Sequence, residues 1–254
     1  MKAVFLGVGE ACDELLPNTS IWVQAETGGM PRSILLDCGF TVPSLYWRRR
    51  VDQEELDALW ISHFHGDHFF GAPALILRFW EMRRRKPLTV IGPEGVEEVL
   101  VQAMNLAYPG FLSKLTYPLR FIQAEPGQTL HELGFTWDFA LSSHGQPNLA
   151  LRIDDGEHTL FYSGDGRYTK ETTALARHCD LAIHEAFRLD QEVAGHGTIS
   201  GCVTFARDAN VTSLALVHVQ REERRERWEE IMRFLENIDD LHVLLPEPGD
   251  EWVL

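Results

Sequence analysis

The sequence predicts an α/β (α+β) fold, a four-layer αββα sandwich in which two sheets pack face to face and helices cover their outer faces. Two observations carry that prediction. Short apolar runs of β type recur along the chain, and each ends at a residue able to bind a metal or move a proton. Helical segments separate many of these runs, while others follow one another as hairpins do. The 254 residues, 44% apolar and 24% charged, suffice for one large core. No linker rich in Gly, Ser or Pro divides them, so residues 1–254 read as a single domain.

Taken in order, the opening run Val4-Phe5-Leu6 is too short for a signal peptide and leads into Gly7-Val8-Gly9, a tight turn after a first strand. Ser33-Ile34-Leu35-Leu36 delivers Asp37. Leu59-Trp60-Ile61 delivers the cluster His63-Phe64-His65-Gly66-Asp67-His68. Helices are expected over 73–85, with Leu75, Leu77, Phe79 and Trp80, and over 95–105, where Pro93 marks the start. Phe139-Ala140-Leu141 leads to His144, and Leu160-Phe161-Tyr162 leads to Asp165. Leu181-Ala182-Ile183 delivers His184-Glu185, a helix over 199–209 follows Thr198 as its cap, Leu214-Ala215-Leu216-Val217 delivers His218, and a helix over 222–237 closes the series. Six strands that present polar groups at their C-terminal ends build one shared rim, where sheet proteins usually bind ligands. Apolar packing has no use for a carboxylate at the end of a strand. Each half starts with strands and finishes with strand-helix units, which suggests an internal duplication.

Composition narrows the function. A net charge of −15 disfavours long nucleic acids as partners, because a polyanion rewards a basic field. No segment is apolar for long enough to cross a bilayer, so a cytoplasmic protein without membrane contact is expected, and a homodimer stays open. Cys12, Cys38, Cys179 and Cys202 lack C-x-x-C spacing and read as reduced thiols in or near the core. Two basic clusters, Arg48-Arg49-Arg50 and Arg83-Arg84-Arg85-Lys86, either complement helix ends or form a phosphate-attracting rim; the first reading is preferred. The mixed charges over 221–230 describe a solvated helix face. His131, His158, His178 and His242 have no partner motif.

Three imidazoles and a carboxylate within six residues are the signature of a two-metal hydrolase. Imidazole nitrogen and carboxylate oxygen suit zinc first, and also manganese or iron, whereas a structural zinc site more often shows cysteine pairs.

These motifs together resemble the metallo-β-lactamase superfamily: H-x-H-x-D-H at His63, His65, Asp67 and His68, then His144, Asp165 and His218. Within it the chain is most similar to the tRNA 3′-processing endonucleases (the RNase Z-like branch), through Phe5-Leu6-Gly7-Val8-Gly9, Asp37-Cys38-Gly39, Ser62, Gly66, His184-Glu185-Ala186 and Gly195-His196-Gly197-Thr198. The resemblance implies the metallo-β-lactamase type of sandwich and two divalent metal ions. His63, His65 and His144 would hold one ion, Asp67, His68 and His218 the other, with Asp165 bridging. It further implies that Glu185 and His196 form a relay protonating the leaving oxygen, and that Asp67 orients the attacking hydroxide. Asp67, Glu185 and His196 are thus the candidate catalytic residues, and Asp37 is expected to fix the tautomer of a ligand histidine.

One departure matters. The bacterial endonucleases carry a long tRNA-gripping arm between the third-motif histidine and the bridging aspartate, whereas residues 145–164 leave room here for a hairpin only. Position 187 also departs, carrying Phe. The expected function is therefore a dinuclear phosphodiesterase acting on a small phosphodiester or nucleotide. A thioester or other ester hydrolase of the same fold, a mononuclear-iron persulfide dioxygenase and an RNase Z-like RNA endonuclease stay as alternatives.

Overall fold

The computed structural model describes residues 1–254 and contains two seven-stranded sheets. The first half of the chain supplies β1 (Lys2–Gly7), β2 (Ser20–Thr27), β3 (Met30–Leu36), α1 (Val42–Arg48), β4 (Ala58–Trp60), α2 (Gly66–Phe69), α3 (Ala72–Glu81), β5 (Leu88–Gly92), α4 (Val96–Ala107) and β6 (Leu119–Gln123). The second supplies β7 (Thr129–Glu132), β8 (Phe135–Leu141), β9 (Leu149–Asp154), β10 (Thr159–Tyr162), α5 (Lys170–Leu175), β11 (Leu181–Glu185), α6 (Ile199–Ala209), β12 (Ser213–Val217), α7 (Arg221–Glu226), α8 (Trp228–Glu236) and β13 (His242–Leu244), before β14 (Glu251–Val253). Sheet order is β14-β1-β2-β3-β4-β5-β6 in one and β13-β12-β11-β10-β9-β8-β7 in the other. In each, antiparallel strands come first along the chain and parallel strands follow, from β3 through β6 and from β10 through β13. The first sheet adds β14, the last strand of the chain, antiparallel to β1 at its edge.

Alternation along each strand assigns its two faces. Ile34 and Leu36 of β3, Ala58 and Trp60 of β4, Ile183 of β11 and Ala215 of β12 meet in the core between the sheets. Leu35 and Leu59 point the other way, onto Tyr46, Ile76, Phe79 and Leu100 of α1, α3 and α4. Ala182, Leu214 and Leu216 likewise face Cys202, Phe205 and Ile231 of α6 and α8. Two sheets with helices on both outer faces make four layers, as expected. Trp60 stacks on Phe139 of β8 with centroids 5.2 Å apart and planes at 14°, joining the sheets directly behind the rim. Such a pair is worth about 0.5–1.5 kcal/mol beyond the area it buries.

Several expectations change in detail. The helix over 199–209 is found with those bounds, and Thr198 accepts from the Gly201 N–H as its cap. The expected helix over 222–237 is two helices broken at Arg227, which takes φ −110°, ψ 20° while its guanidinium pairs with Asp190, Glu223 and Glu230. Cys38, Cys179 and Cys202 are buried free thiols, but Cys12 is exposed, because it lies in the surface loop between β1 and β2. One arginine of each basic cluster is engaged within the fold. Arg49 caps α1 and pairs with Glu251 at 2.7 Å. Arg84 is fully buried, donating to the carbonyls of Gln53, Leu56, Lys86 and Pro87 at 2.6–2.7 Å with its guanidinium over the Phe79 ring. No helix is long and apolar enough to cross a membrane.

Candidate metal centre

All six strands named above end at one edge of the sandwich, and their following residues converge. β3 ends before Asp37, β4 before the His63–His68 loop, β8 before His144, β10 before Asp165 and β12 before His218, while β11 carries His184 and Glu185 in its last two positions. Donor atoms of His63, His65, His144 and Asp165 lie within 4.8 Å of one another, as do those of Asp67, His68, Asp165 and His218, so the carboxylate of Asp165 belongs to both groups. All seven expected donors are brought together.

Hydrogen bonds behind the rim decide which ring nitrogen faces inward. Ser62 Oγ donates to Asp37 Oδ2 at 2.7 Å, which leaves its lone pair for the N–H of His63 Nδ1 at 3.0 Å. His68 Nδ1 donates to the same Asp37 oxygen at 2.8 Å, and His144 Nδ1 to the Gly195 carbonyl at 2.7 Å. Each arrangement strips the proton from the opposite nitrogen, Nε2, and aims a bare lone pair into the site. His65 instead presents Nδ1, 3.0 Å from His63 Nε2 and 3.1 Å from His144 Nε2. Three imidazole nitrogens so close share too few protons to satisfy one another, and a cation is what they lack.

The second group makes the same point with charge. His68 Nε2 and Asp165 Oδ1 are buried, 3.2 Å apart, and neither has a hydrogen-bond partner. A buried polar atom without a partner costs roughly 1–3 kcal/mol, so the donor set fits a bound ion. Burial lowers His63 and His65, and the neighbouring imidazoles push them the same way. Burial alone would also lower His218, but the Asp165 charge and the Asp67 hydrogen bond override it and push it up to about 9. Against burial, the hydrogen bond from His218 holds Asp67 well below the usual carboxylate range. That paired proton is what a divalent ion displaces.

Asp165 is held from behind. Its backbone N–H donates to Asn148 Oδ1 at 3.1 Å, and Ser142 Oγ donates to its carbonyl at 2.6 Å. Gly166 has φ 106°, and a Cβ there would lie 2.5 Å from Ser142 Oγ, so only glycine lets the chain turn away while its N–H reaches Glu185 Oε1 at 2.9 Å. Glu185 is fully buried; its Oε1 also accepts from the Gly197 N–H at 2.8 Å and faces His196 Nδ1 at 3.4 Å. The His196 ring stands between the two donor groups, 5.3 Å from His144 and 5.9 Å from His218 between centroids. Asp37 lies behind the rim, its Oδ1 accepting from the Ser62 N–H and its Oδ2 from Tyr162 Oη as well as Ser62 and His68. Asp37 thus stands beside His68, one of the imidazoles expected to bind metal.

Sequence reasoning gave no role to Tyr162, Asn148 or Gly195. Asn148 and Gly195 act through contacts 17 and 51 residues away, which local pattern cannot reveal. Tyr162, a polar-tipped aromatic three residues before Asp165, was the one available signal.

A protein-family model described as the beta-lactamase superfamily domain matches residues 32–219. The chain belongs to the beta-lactamase superfamily. Ribonuclease Z of Methanosarcina mazei is 24% identical to it over 274 aligned residues, covering 86% of this chain and 87% of that protein. The metallo-beta-lactamase fold protein YhfI from Bacillus subtilis superposes with a TM-score of 0.78 at 25% identity, covering 99% of both chains. The short form of human tRNase Z does so with 0.79 at 20% identity, covering 100% of this chain and 99% of that one. This superfamily member is a metal-dependent hydrolase, and its imidazole and carboxylate clusters are sites for divalent metal.

Proposed function

We propose that this chain, as one domain, is a phosphodiesterase that cleaves a small phosphodiester or nucleotide. His63, His65 and His144 would hold one divalent ion and Asp67, His68 and His218 a second, with Asp165 shared; zinc suits these donors best. Such ions supply positive charge against the phosphate oxygens and acidify a water nucleophile. Asp67, a hydrogen-bond acceptor at the floor of the site, orients that water. His196, beside Glu185 and adjoining both donor groups, gives a proton to the departing alkoxide.

The observation that carries the choice of substrate is the segment between His144 and Asp165. It is occupied by Leu149–Asp154 and Thr159–Tyr162, a hairpin paired strand to strand, with nothing left over to grip a large RNA. The net charge of −15 supports the same reading. A second reading, an RNA endonuclease, is favoured by the likeness to ribonuclease Z over 86% of the chain.

The two separate in one comparison, using bis-p-nitrophenyl phosphate and nucleoside cyclic phosphates against a precursor tRNA at rising salt. Rapid, salt-insensitive cleavage of the small diesters supports the proposal. Efficient cutting of the precursor that falls steeply with salt would replace it with the endonuclease.

A further inference from the structure

The ring of His196 is not held by its acidic neighbour. His196 Nδ1 and Glu185 Oε1 stand 3.4 Å apart, and Nδ1 is buried without a hydrogen-bond partner. A contact that loose leaves the plane of the imidazole undetermined. The backbone around it is fixed by other bonds. Arg167 Nε donates to the His196 carbonyl and Arg167 Nη2 to that of Val193, both at 3.0 Å, and the His196 N–H donates to Val193 O at 3.2 Å. Those bonds place the Cα of His196 and leave its side-chain torsions free.

What confines the ring is a flat apolar wall. Phe187, half-buried, stacks on His196 with centroids 4.5 Å apart and planes at 23°. Its own backbone is pinned at both ends. The Phe187 N–H donates to Gly197 O at 3.1 Å, and the Gln220 N–H donates to Phe187 O at 2.9 Å. The residue is thereby locked between the loop carrying His196 and the loop following His218. The other rings near His196 belong to His144 and His218, which face the metal centre with their own nitrogens.

We propose that Phe187 is a positioning residue for the leaving-group proton: its ring fixes the plane of His196, so that the nitrogen away from Glu185 meets the oxygen that departs. This rests on the reading of His196 as proton donor. A water oxygen bonds to phosphorus and gives up a proton to solvent as the bond to the leaving oxygen breaks; the electron pair of that bond stays on the leaving oxygen and takes up the proton of the His196 imidazolium, which solvent restores. A phenyl face suits the task because it restricts the imidazole in two dimensions and adds no titrating group. A flexible aliphatic chain fills the volume but leaves the ring free to tip.

The experiment compares Phe187→Leu, Phe187→Met and Phe187→Tyr with His196→Ala in the metal-loaded full chain. Two diesters are used: bis-p-nitrophenyl phosphate, whose leaving group departs as an anion, and a nucleoside 2′,3′-cyclic phosphate, whose ribose oxygen needs a proton. Phe187→Leu and Phe187→Met are expected to slow the cyclic phosphate by about tenfold or more and the p-nitrophenyl ester by less than about threefold. Metal content should be unchanged, and Phe187→Tyr, which keeps the plate, should restore the wild-type ratio. Equal losses on both diesters, loss of metal, or failure of Tyr to rescue would overturn the inference. If His196→Ala shows no difference between the diesters, the proton-donor reading itself fails. If His196→Ala shows the difference and neither Phe187→Leu nor Phe187→Met does, only the role of Phe187 fails. A wild-type protein inactive on both diesters removes the phosphodiesterase reading and this inference with it.

Discussion

The two donor groups differ in how they are built. In the group of His63, His65 and His144, two of the three imidazoles are half-buried, and their only carboxylate is the shared Asp165. In the group of Asp67, His68 and His218 every member is buried, and a third carboxylate, Asp37, backs His68. One position is therefore open and nearly neutral, the other closed and anionic. A divalent ion gains more from two carboxylates among buried donors than from one carboxylate and three imidazoles, two of them half-buried. The closed position is thus expected to be the tighter and slower to exchange, and the open one the side that meets substrate and chelator first.

Removing Asp165 erases the distinction, because it alone serves both groups. Asp165→Ala is expected to lose both tightly held ions together, with activity falling to background, as elemental analysis after reconstitution would register; retention of either ion at full occupancy contradicts the bridging assignment. Next in size is His196, which adjoins both groups. His196→Ala should keep its metal and slow a diester with a poor alkoxide leaving group by about 10²–10⁴-fold, with a much smaller effect on a p-nitrophenyl ester. Asp37→Asn acts on the closed group alone. Its ion should bind about 10–100-fold more weakly while the open position is little changed, measured by competition with a chromophoric chelator. Equal weakening at both positions would mean that Asp37 supports the whole rim.

The smallest effect comes from a buried histidine outside both groups. His184 donates from Nδ1 to the Glu185 carbonyl at 2.7 Å, and burial lowers its pKa from the usual 6.5 despite the nearby Glu185 charge. A histidine depressed in the folded state favours folding fully above its unfolded value, and that contribution is lost as pH falls through 6.5 towards the folded value. Stability should therefore fall between pH 6.5 and the lower folded value with a slope of at most about 1.4 kcal/mol per pH unit from this group. Chemical denaturation of wild type and His184→Gln at pH 7.5 and 5.5 would show a shallower slope in the variant; identical slopes would remove His184 from the account.

Much of this was legible because ligand residues follow strand ends at fixed, local distances. His63 to His68 are six consecutive residues, and each later donor sits within three residues of its strand. The capped helix at Ile199–Ala209 was legible for the same reason: cap and helix are neighbours in sequence. What escaped depends on contacts between distant segments. Arg84 looked like one of a run of surface cations, yet carbonyls at residues 53 and 56 draw it into the core. The break at Arg227 has no glycine or proline to announce it; Asp190, 37 residues away, helps set it. The stacking of Phe187 on His196 was equally invisible, since neither residue's spacing fixes a ring plane.

The division of donors between the sheets has a mechanical consequence. His63, His65, Asp67 and His68 hang from the first sheet, while His144, Asp165 and His218 hang from the second. Each ion would therefore act as a rivet across the seam of the sandwich, since both groups draw on both sheets. An ion present at about 1,000 times its Kd adds about 4 kcal/mol to stability if the unfolded chain does not bind it. Two such fastenings rival the net stability of a typical domain. Stripping the metal should then do more than silence the enzyme: it should release the rim as a cross-link, lower the thermal midpoint, and let the amides around His63 and His218 exchange with solvent sooner than those beside Trp60 and Phe139.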